Sequence, residues 1–146
     1  MQKIFRGLNY MHSKSLIHRD IKLENILLET KINICQAKIT DFGFSTKYHN
    51  YNLFKNCGTP GYIAPEILLD KDYNCKVDIF SAGIILFTLL TGASPWKGYN
   101  STDLLKKNRK GIIEFKYEDW KDVSFSARHL VKKMLYKKPS KRYNVK

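Results

Sequence analysis

Two aspartates, a lysine and an asparagine stand near the start of the chain: Asp20, Lys22, Asn25 and, twenty-one residues after the first, Asp41. A carboxylate can accept a proton from a hydroxyl. A carboxamide and a second carboxylate offer hard oxygens to a divalent cation, and an ammonium is a compact positive charge for an oxyanion. Each has a plainer use as well: Asp20 could cap loop amides, and Asp41, ahead of Phe42 and Gly43, could simply build a turn.

The elements that must position these groups follow from the apolar spacing. Ile4, Leu8 and Met11 recur at helical intervals up to Ser13-Lys14-Ser15, which reads as a helix entering a loop. The runs Ile26-Leu27-Leu28 and Lys38-Ile39-Thr40 read as a small strand pair, so the four polar groups sit on loops at its ends. Residues 41–66 are polar, rich in Asn, Tyr and Gly and broken by Pro60 and Pro65, with neither helical nor strand periodicity. A loop of that length in a compact domain is usually functional. Helices are expected over 77–90, 102–108 and 125–136. The first is apolar on nearly every side and therefore central; the last places Ala127, Leu130, Val131, Met134 and Leu135 on one face behind the cap residue Ser124.

The run His18-Arg19-Asp20-Ile21-Lys22-Leu23-Glu24-Asn25 resembles the catalytic loop of protein kinases. Asp41-Phe42-Gly43, Gly58-Thr59-Pro60-Gly61-Tyr62 and Ala64-Pro65-Glu66 follow in that family's order and spacing. The resemblance covers nearly the whole chain. It implies that Asp20 accepts the proton of the substrate hydroxyl, that Asn25 and Asp41 hold Mg2+ on the phosphates of ATP, and that Lys22 supplies positive charge to the transferred phosphate. Lys22 and Thr59 mark the serine/threonine class, with Thr59 contacting Asp20 and Lys22; capping of the turn at Pro60 is its plainer use. Glu24 would face the nucleotide ribose or a basic residue of the substrate. The second glutamate of arginine-selective relatives aligns with Thr88. Leu27 would floor the adenine, core packing being its alternative. Residues 54–69 most resemble the calcium/calmodulin-dependent kinase group.

The same resemblance assigns structural support. His18 and Phe42 read as packing residues, with Gly43 completing their motif. Asp78 would accept backbone amides from the catalytic loop, with a helix N-cap as the plainer reading, and Phe80 replaces the usual tryptophan, keeping the aromatic shape without the indole donor. Glu66 would pair with Arg142. Arg19 would bind a phosphate on the loop, but the position for it holds Lys55 between Phe54 and Asn56, none of which is a hydroxyl acceptor. Ser45, Thr46, Tyr48 and Tyr51 are the remaining candidates.

The expected fold is mainly α (α+β): the helical C-terminal lobe of a protein kinase domain over residues 1–146, with a small β pair beside the catalytic loop. The N-terminal lobe is absent, and most of the last helix is missing. No Gly-rich phosphate loop, strand lysine or adenine-reading hinge occurs in these residues. The expected function is serine/threonine phosphorylation of protein substrates with ATP and Mg2+, inactive until joined by the missing lobe; the alternative is a non-catalytic binding module built on the same lobe. A hydrophobic content of 43% with nine Tyr and eight Phe excludes a disordered chain. The formal charge of +13 is spread along the sequence without a nucleic-acid motif, so no nucleic-acid partner is expected. The apolar run 79–90 is too short to span a bilayer, so no membrane association is expected. Cys35, Cys57 and Cys75 lack metal-binding spacing and no secretory leader is visible, which points to reduced thiols and an intracellular, cytoplasmic location.

Overall fold

The computed structural model describes residues 1–29, 36–47 and 57–145. Helix α1 (Gln2–Ser13) buries Ile4, Leu8 and Met11, the stripe expected from their spacing, and Ser15 turns the chain out with φ 59°. Strands β1 (Leu16–Ile17), β2 (Ile26–Leu28), β3 (Ala37–Ile39) and β4 (Thr46–Lys47) follow. They form two antiparallel pairs, β1 with β4 and β2 with β3. The β2–β3 pair is the expected one, begun one residue earlier on its second strand. The β1–β4 pair was not expected, because two-residue strands carry no period to read.

Helix α2 (Pro65–Leu68) starts on a proline, whose missing N–H costs nothing in a first turn. Helix α3 (Lys76–Thr91) buries every residue from Val77 through Phe87, and Gly92 ends it with φ 71° and its N–H on the Thr88 carbonyl at 2.9 Å. Around it lie α4 (Ser101–Lys110), α5 (Tyr117–Trp120) and α6 (Phe125–Met134). Asn100 caps α4 by accepting from the Asp103 amide at 2.9 Å, and Lys107, Arg109 and Lys110 in its last turn suit the negative end of the helix dipole.

Gly83 lets α3 and α6 meet closely: a Cβ there would lie 2.9 Å from the Leu135 side chain. Phe87 packs edge-on against Trp120 at 5.1 Å, and Phe80 stacks on Trp96 at 6.2 Å. Helix α6 ends at Met134, short of the expected Tyr136. The carbonyls of Tyr136 and Lys137 are taken by Arg142, at 2.6 and 3.1 Å, which pulls the chain out of helical geometry. No helix among the described residues is long and apolar enough to cross a membrane.

Candidate active site

The site hangs from α3. Asp78, the third residue of that helix and fully buried, accepts from the Arg19 amide on Oδ1 and from the His18 amide on Oδ2, both at 2.9 Å. The N-cap position belongs to Cys75, so the plainer reading of Asp78 does not hold. Its carboxylate instead pairs two amides of a loop that has no ladder for them. His12 from α1 completes the cradle, with Nε2 at 2.8 Å from Asp78 Oδ2. Burial pushes the His12 imidazole down, but the hydrogen bonds and charge of Asp78 and Cys75 outweigh it, and the pKa stands raised from 6.5 to about 9.

Held this way, Arg19 adopts φ 71° and the loop turns sharply into Asp20. The buried His18 ring accepts from the Asp20 amide on Nδ1 at 3.3 Å, which places its proton on Nε2, and that atom donates to the Thr40 carbonyl at 3.0 Å. It thereby links the backbones of both motif loops as well as packing at 5.3 Å from the Phe42 ring.

Asp20 itself is buried, and the partners of its carboxylate are side chains. Oδ1 accepts from the Thr59 hydroxyl at 2.7 Å, and Oδ2 lies 2.8 Å from Lys22 Nζ and 3.2 Å from Asn25 Nδ2. Lys22 also donates to Thr59 Oγ1 at 2.9 Å, so one hydroxyl joins cation to carboxylate. Thr59 thus spends its side chain on the site and not on the turn at Pro60. Burial pushes the Asp20 carboxyl up, but hydrogen bonds from Lys22 and Thr59, the Lys22 charge and the Asn25 amide hold it below the ordinary carboxylate range. The Asp20 hydrogen bond moves Lys22 upward in return. At neutral pH the cluster is an ionised carboxylate beside an ammonium, with a hydroxyl between them.

Asn25 and Asp41 are brought together by the β2–β3 register. Ile26 faces Ile39, and the next residue out, Thr40, donates its N–H and its hydroxyl to the Asn25 carbonyl at 3.0 and 3.2 Å. Asp41 follows immediately, at φ 60°, and accepts the Gly43 amide on Oδ1 at 3.2 Å. The turn-building use of Asp41 is therefore present, and it occupies one carboxylate oxygen. Asn25 directs Nδ2 to the Asp20 carbonyl at 2.9 Å and to its carboxylate. The two residues' oxygens are the hard donors magnesium prefers, and no group of three His, Cys, Asp or Glu side chains among the described residues could hold a metal unaided. That donor set fits a cation brought in with phosphate oxygens.

Other candidates sit differently. Leu27 is 55% exposed, so its core-packing alternative is excluded, and Phe42 is 54% exposed despite its contact with His18. Leu28 and Phe44 are exposed beside them, and Glu24 faces solvent. Arg19 is buried, donating to the Phe44 carbonyl at 2.6 Å and the Tyr73 hydroxyl at 3.1 Å. Of the expected modification sites, Ser45 has a buried hydroxyl and Thr46 lies in β4. Tyr48, Tyr51, Phe54, Lys55 and Asn56 lie outside the described residues, as does Cys35. Glu66 and Arg142 pair as expected, at 2.5 and 2.7 Å, with the guanidinium 4.8 Å from the centre of the Phe80 ring.

His12 and Asn108 escaped sequence reasoning. His12 is polar in step with the buried Ile4, Leu8 and Met11, and Asn108 in step with the half-buried Leu104 and Leu105, and that spacing is the signal available for both. Asn108, fully buried, accepts from the Gly61 amide at 2.7 Å and donates to the Ile63 carbonyl at 2.8 Å.

A family model described as protein kinase domain matches residues 1–146. "Probable serine/threonine-protein kinase 2" of Plasmodium falciparum is 39% identical over 142 residues, covering 97% of this chain and 28% of that protein. "Calcium-dependent protein kinase 5" of Plasmodium berghei is 46% identical over 132 residues, covering 90% and 23%. "Calcium-dependent protein kinase 4" of Plasmodium falciparum is 44% identical over 137 residues, covering 92% and 26%. The chain spans about a quarter of the length of the curated relatives it matches.

Proposed function

This chain belongs to the protein kinase domain family, and we propose that its Asp20 cluster serves transfer of the γ-phosphate of ATP to serine or threonine hydroxyls of a protein substrate. The observation that carries the reading is the hydrogen-bonded path from Lys22 through Thr59 to Asp20, which joins residues 37 and 39 positions apart around one carboxylate. A loop that merely capped its own amides would have no use for it.

In this reading Asp20 orients the acceptor hydroxyl and receives its proton as the new O–P bond forms. Its depressed pKa makes it a weak base, so orientation is the larger share of its work. Lys22, bonded to Thr59 as well as Asp20, keeps positive charge at the acceptor side, where negative charge spreads over phosphate oxygens. Thr59 fixes the distance between them and so favours a hydroxyl of the serine/threonine type. Asn25 and Asp41 would hold Mg2+, which when bound neutralises phosphate charge. Glu24 would face the nucleotide ribose or a basic residue of the substrate, and Leu27 would floor the adenine.

The helical body corresponds to the C-terminal lobe, and the 146 residues alone supply the acceptor and magnesium half of the site. The individual exposure of Leu27, Leu28, Phe42 and Phe44 supports a covering element, the N-terminal lobe of the same kinase. Cys57 and Cys75 are free thiols, which supports an intracellular setting. The test is phosphate transfer from labelled ATP to a serine-containing peptide. The gene's full natural product is expected to be active and its Asp20→Asn variant inactive, whereas residues 1–146 by themselves show no transfer. Equal activity in the Asp20→Asn variant would overturn the reading.

A further inference from the structure

Asn108 is an unusual residue to find fully buried near the end of a helix whose other last-turn residues are Lys107, Arg109 and Lys110. Asparagine is a mediocre helix former, and a buried primary amide is tolerated only when paired. Here both of its ends are spent on one short segment: Oδ1 takes the Gly61 N–H at 2.7 Å and Nδ2 donates to the Ile63 carbonyl at 2.8 Å. The reversed amide would set donor against donor and acceptor against acceptor, so a single orientation fits.

A backbone N–H and a carbonyl two residues apart converge on one side-chain amide only if the chain bends around it. That bend is visible in Gly61, at φ 96°, where a Cβ would meet nothing within 4 Å, so backbone conformation and not space calls for glycine. The bend is tied elsewhere as well. The Tyr62 amide donates to the Thr59 carbonyl at 3.0 Å, and Ser81 from α3 donates to the Tyr62 carbonyl at 2.8 Å. Thr59, two residues before Gly61, is the hydroxyl that joins Lys22 to Asp20. Helix α4 is pressed close behind, for a Cβ on Gly111 would lie 2.7 Å from Pro65.

We propose that Asn108 is a positioning residue for the acceptor peptide: from α4 it sets the shape of residues 61–63, which adjoin and overlap the segment 58–62 that in the kinase reading would receive the peptide residue after the acceptor hydroxyl, and it keeps Thr59 in register with Asp20. The inference rests on the kinase reading above. It makes α4, a helix with no residue in the Asp20 cluster, a determinant of peptide preference.

The experiment compares the gene's full natural product with its Asn108→Leu and Asn108→Asp variants. It measures amide hydrogen exchange at Gly61 and steady-state kinetics on serine peptides that differ in the residue after the acceptor. In Asn108→Leu the Gly61 amide is expected to exchange roughly tenfold faster or more, peptide KM to rise about tenfold with discrimination at that residue flattened, and ATP KM to stay within about twofold. Asn108→Asp keeps the acceptor for Gly61 but not the donor for Ile63; it is expected to retain Gly61 protection and show a smaller rise in peptide KM. Unchanged peptide KM and preference in Asn108→Leu, with an active unsubstituted control, overturns the inference alone. So does a parallel loss in kcat and both KM values, which marks general loosening. No transfer from the unsubstituted protein overturns the kinase reading and the peptide role with it.

Discussion

Two of the buried carboxylate–cation pairs among the described residues are built oppositely. Glu66 and Arg142 meet as two parallel hydrogen bonds with side-chain exposures of 4% and 0%. The remaining donors of the guanidinium go to the carbonyls of Tyr136, Lys76 and Lys137. Nothing is left over, and the pair acts as a clamp between the start of α2 and the chain's end. Asp20 and Lys22 meet at 2.8 Å with exposures of 2% and 20%. The ammonium is a point charge on a flexible stem, partly open to solvent and bonded to two oxygens, so it can retarget to an arriving anion. A planar fork with every donor engaged makes scaffold; a buried carboxylate beside a reachable ammonium makes a site. His12–Asp78 lies between them, structural in position but titratable.

The sharpest way to break the comparison is to neutralise each carboxylate or cation in turn. In the gene's full natural product Asp20→Asn should lower kcat about 10²- to 10⁴-fold, roughly 3 to 5 kcal/mol of barrier, with a smaller cost in thermal stability than Arg142→Leu. Arg142→Leu should do the reverse. It strands the buried Glu66 carboxylate and should cost about 3 to 5 kcal/mol of stability in denaturant titration. A double change of Glu66 and Arg142 to apolar residues should recover much of it. If Asp20→Asn proved the more destabilising of the two, the division between site and clamp would be wrong.

The middle pair answers to pH. The His12 pKa is raised from 6.5 to about 9 in the folded protein, so the folded state holds the extra proton between those values. Its contribution to stability is complete below about pH 6.5 and is lost as pH rises through about 9. Denaturant titrations across that window should show the loss, and His12→Gln should remove the slope. The smallest effect is expected of Thr59→Val, which takes from the ionised Asp20 carboxylate one hydrogen bond worth about 1.5 to 3 kcal/mol. Losing that donor raises the Asp20 pKa, and since the proposed role of Asp20 requires its ionised form, the acid limb of the pH–rate profile of the gene's full natural product should move upward. Thr59→Ser should leave it in place.

Much of the site was readable because its residues are consecutive or separated by fixed spacings: Asp20, Lys22, Asn25 and Asp41 stand at the loop ends where strand and helix periods break. The helical stripes of α1 and α6 were readable for the same reason, since burial repeats every three to four residues, and α3 was readable as central because it is apolar on nearly every side. The β1–β4 pair was not, because Leu16–Ile17 and Thr46–Lys47 gain strand character only from one another across the fold. Nor was the early end of α6, set by an arginine six residues beyond Tyr136. Leu27 shows the limit most plainly: a leucine in a short strand reads equally as core or as a nucleotide floor, and only its exposure in the fold excludes core packing.

The sequence by itself determined which chemical groups are present, their class and the elements that carry them, because motif spacing and apolar period are properties of the chain in one dimension. The tertiary structure decided how those groups meet: it brought His12 onto Asp78, spent Asn108 on residues 61–63, and set the atoms and distances of the Asp78, Thr59 and Arg142 contacts that the resemblance implied. Those outcomes depend on desolvation and on hydrogen-bond partners up to 76 residues away, and a buried polar group takes whichever partner the fold brings within reach.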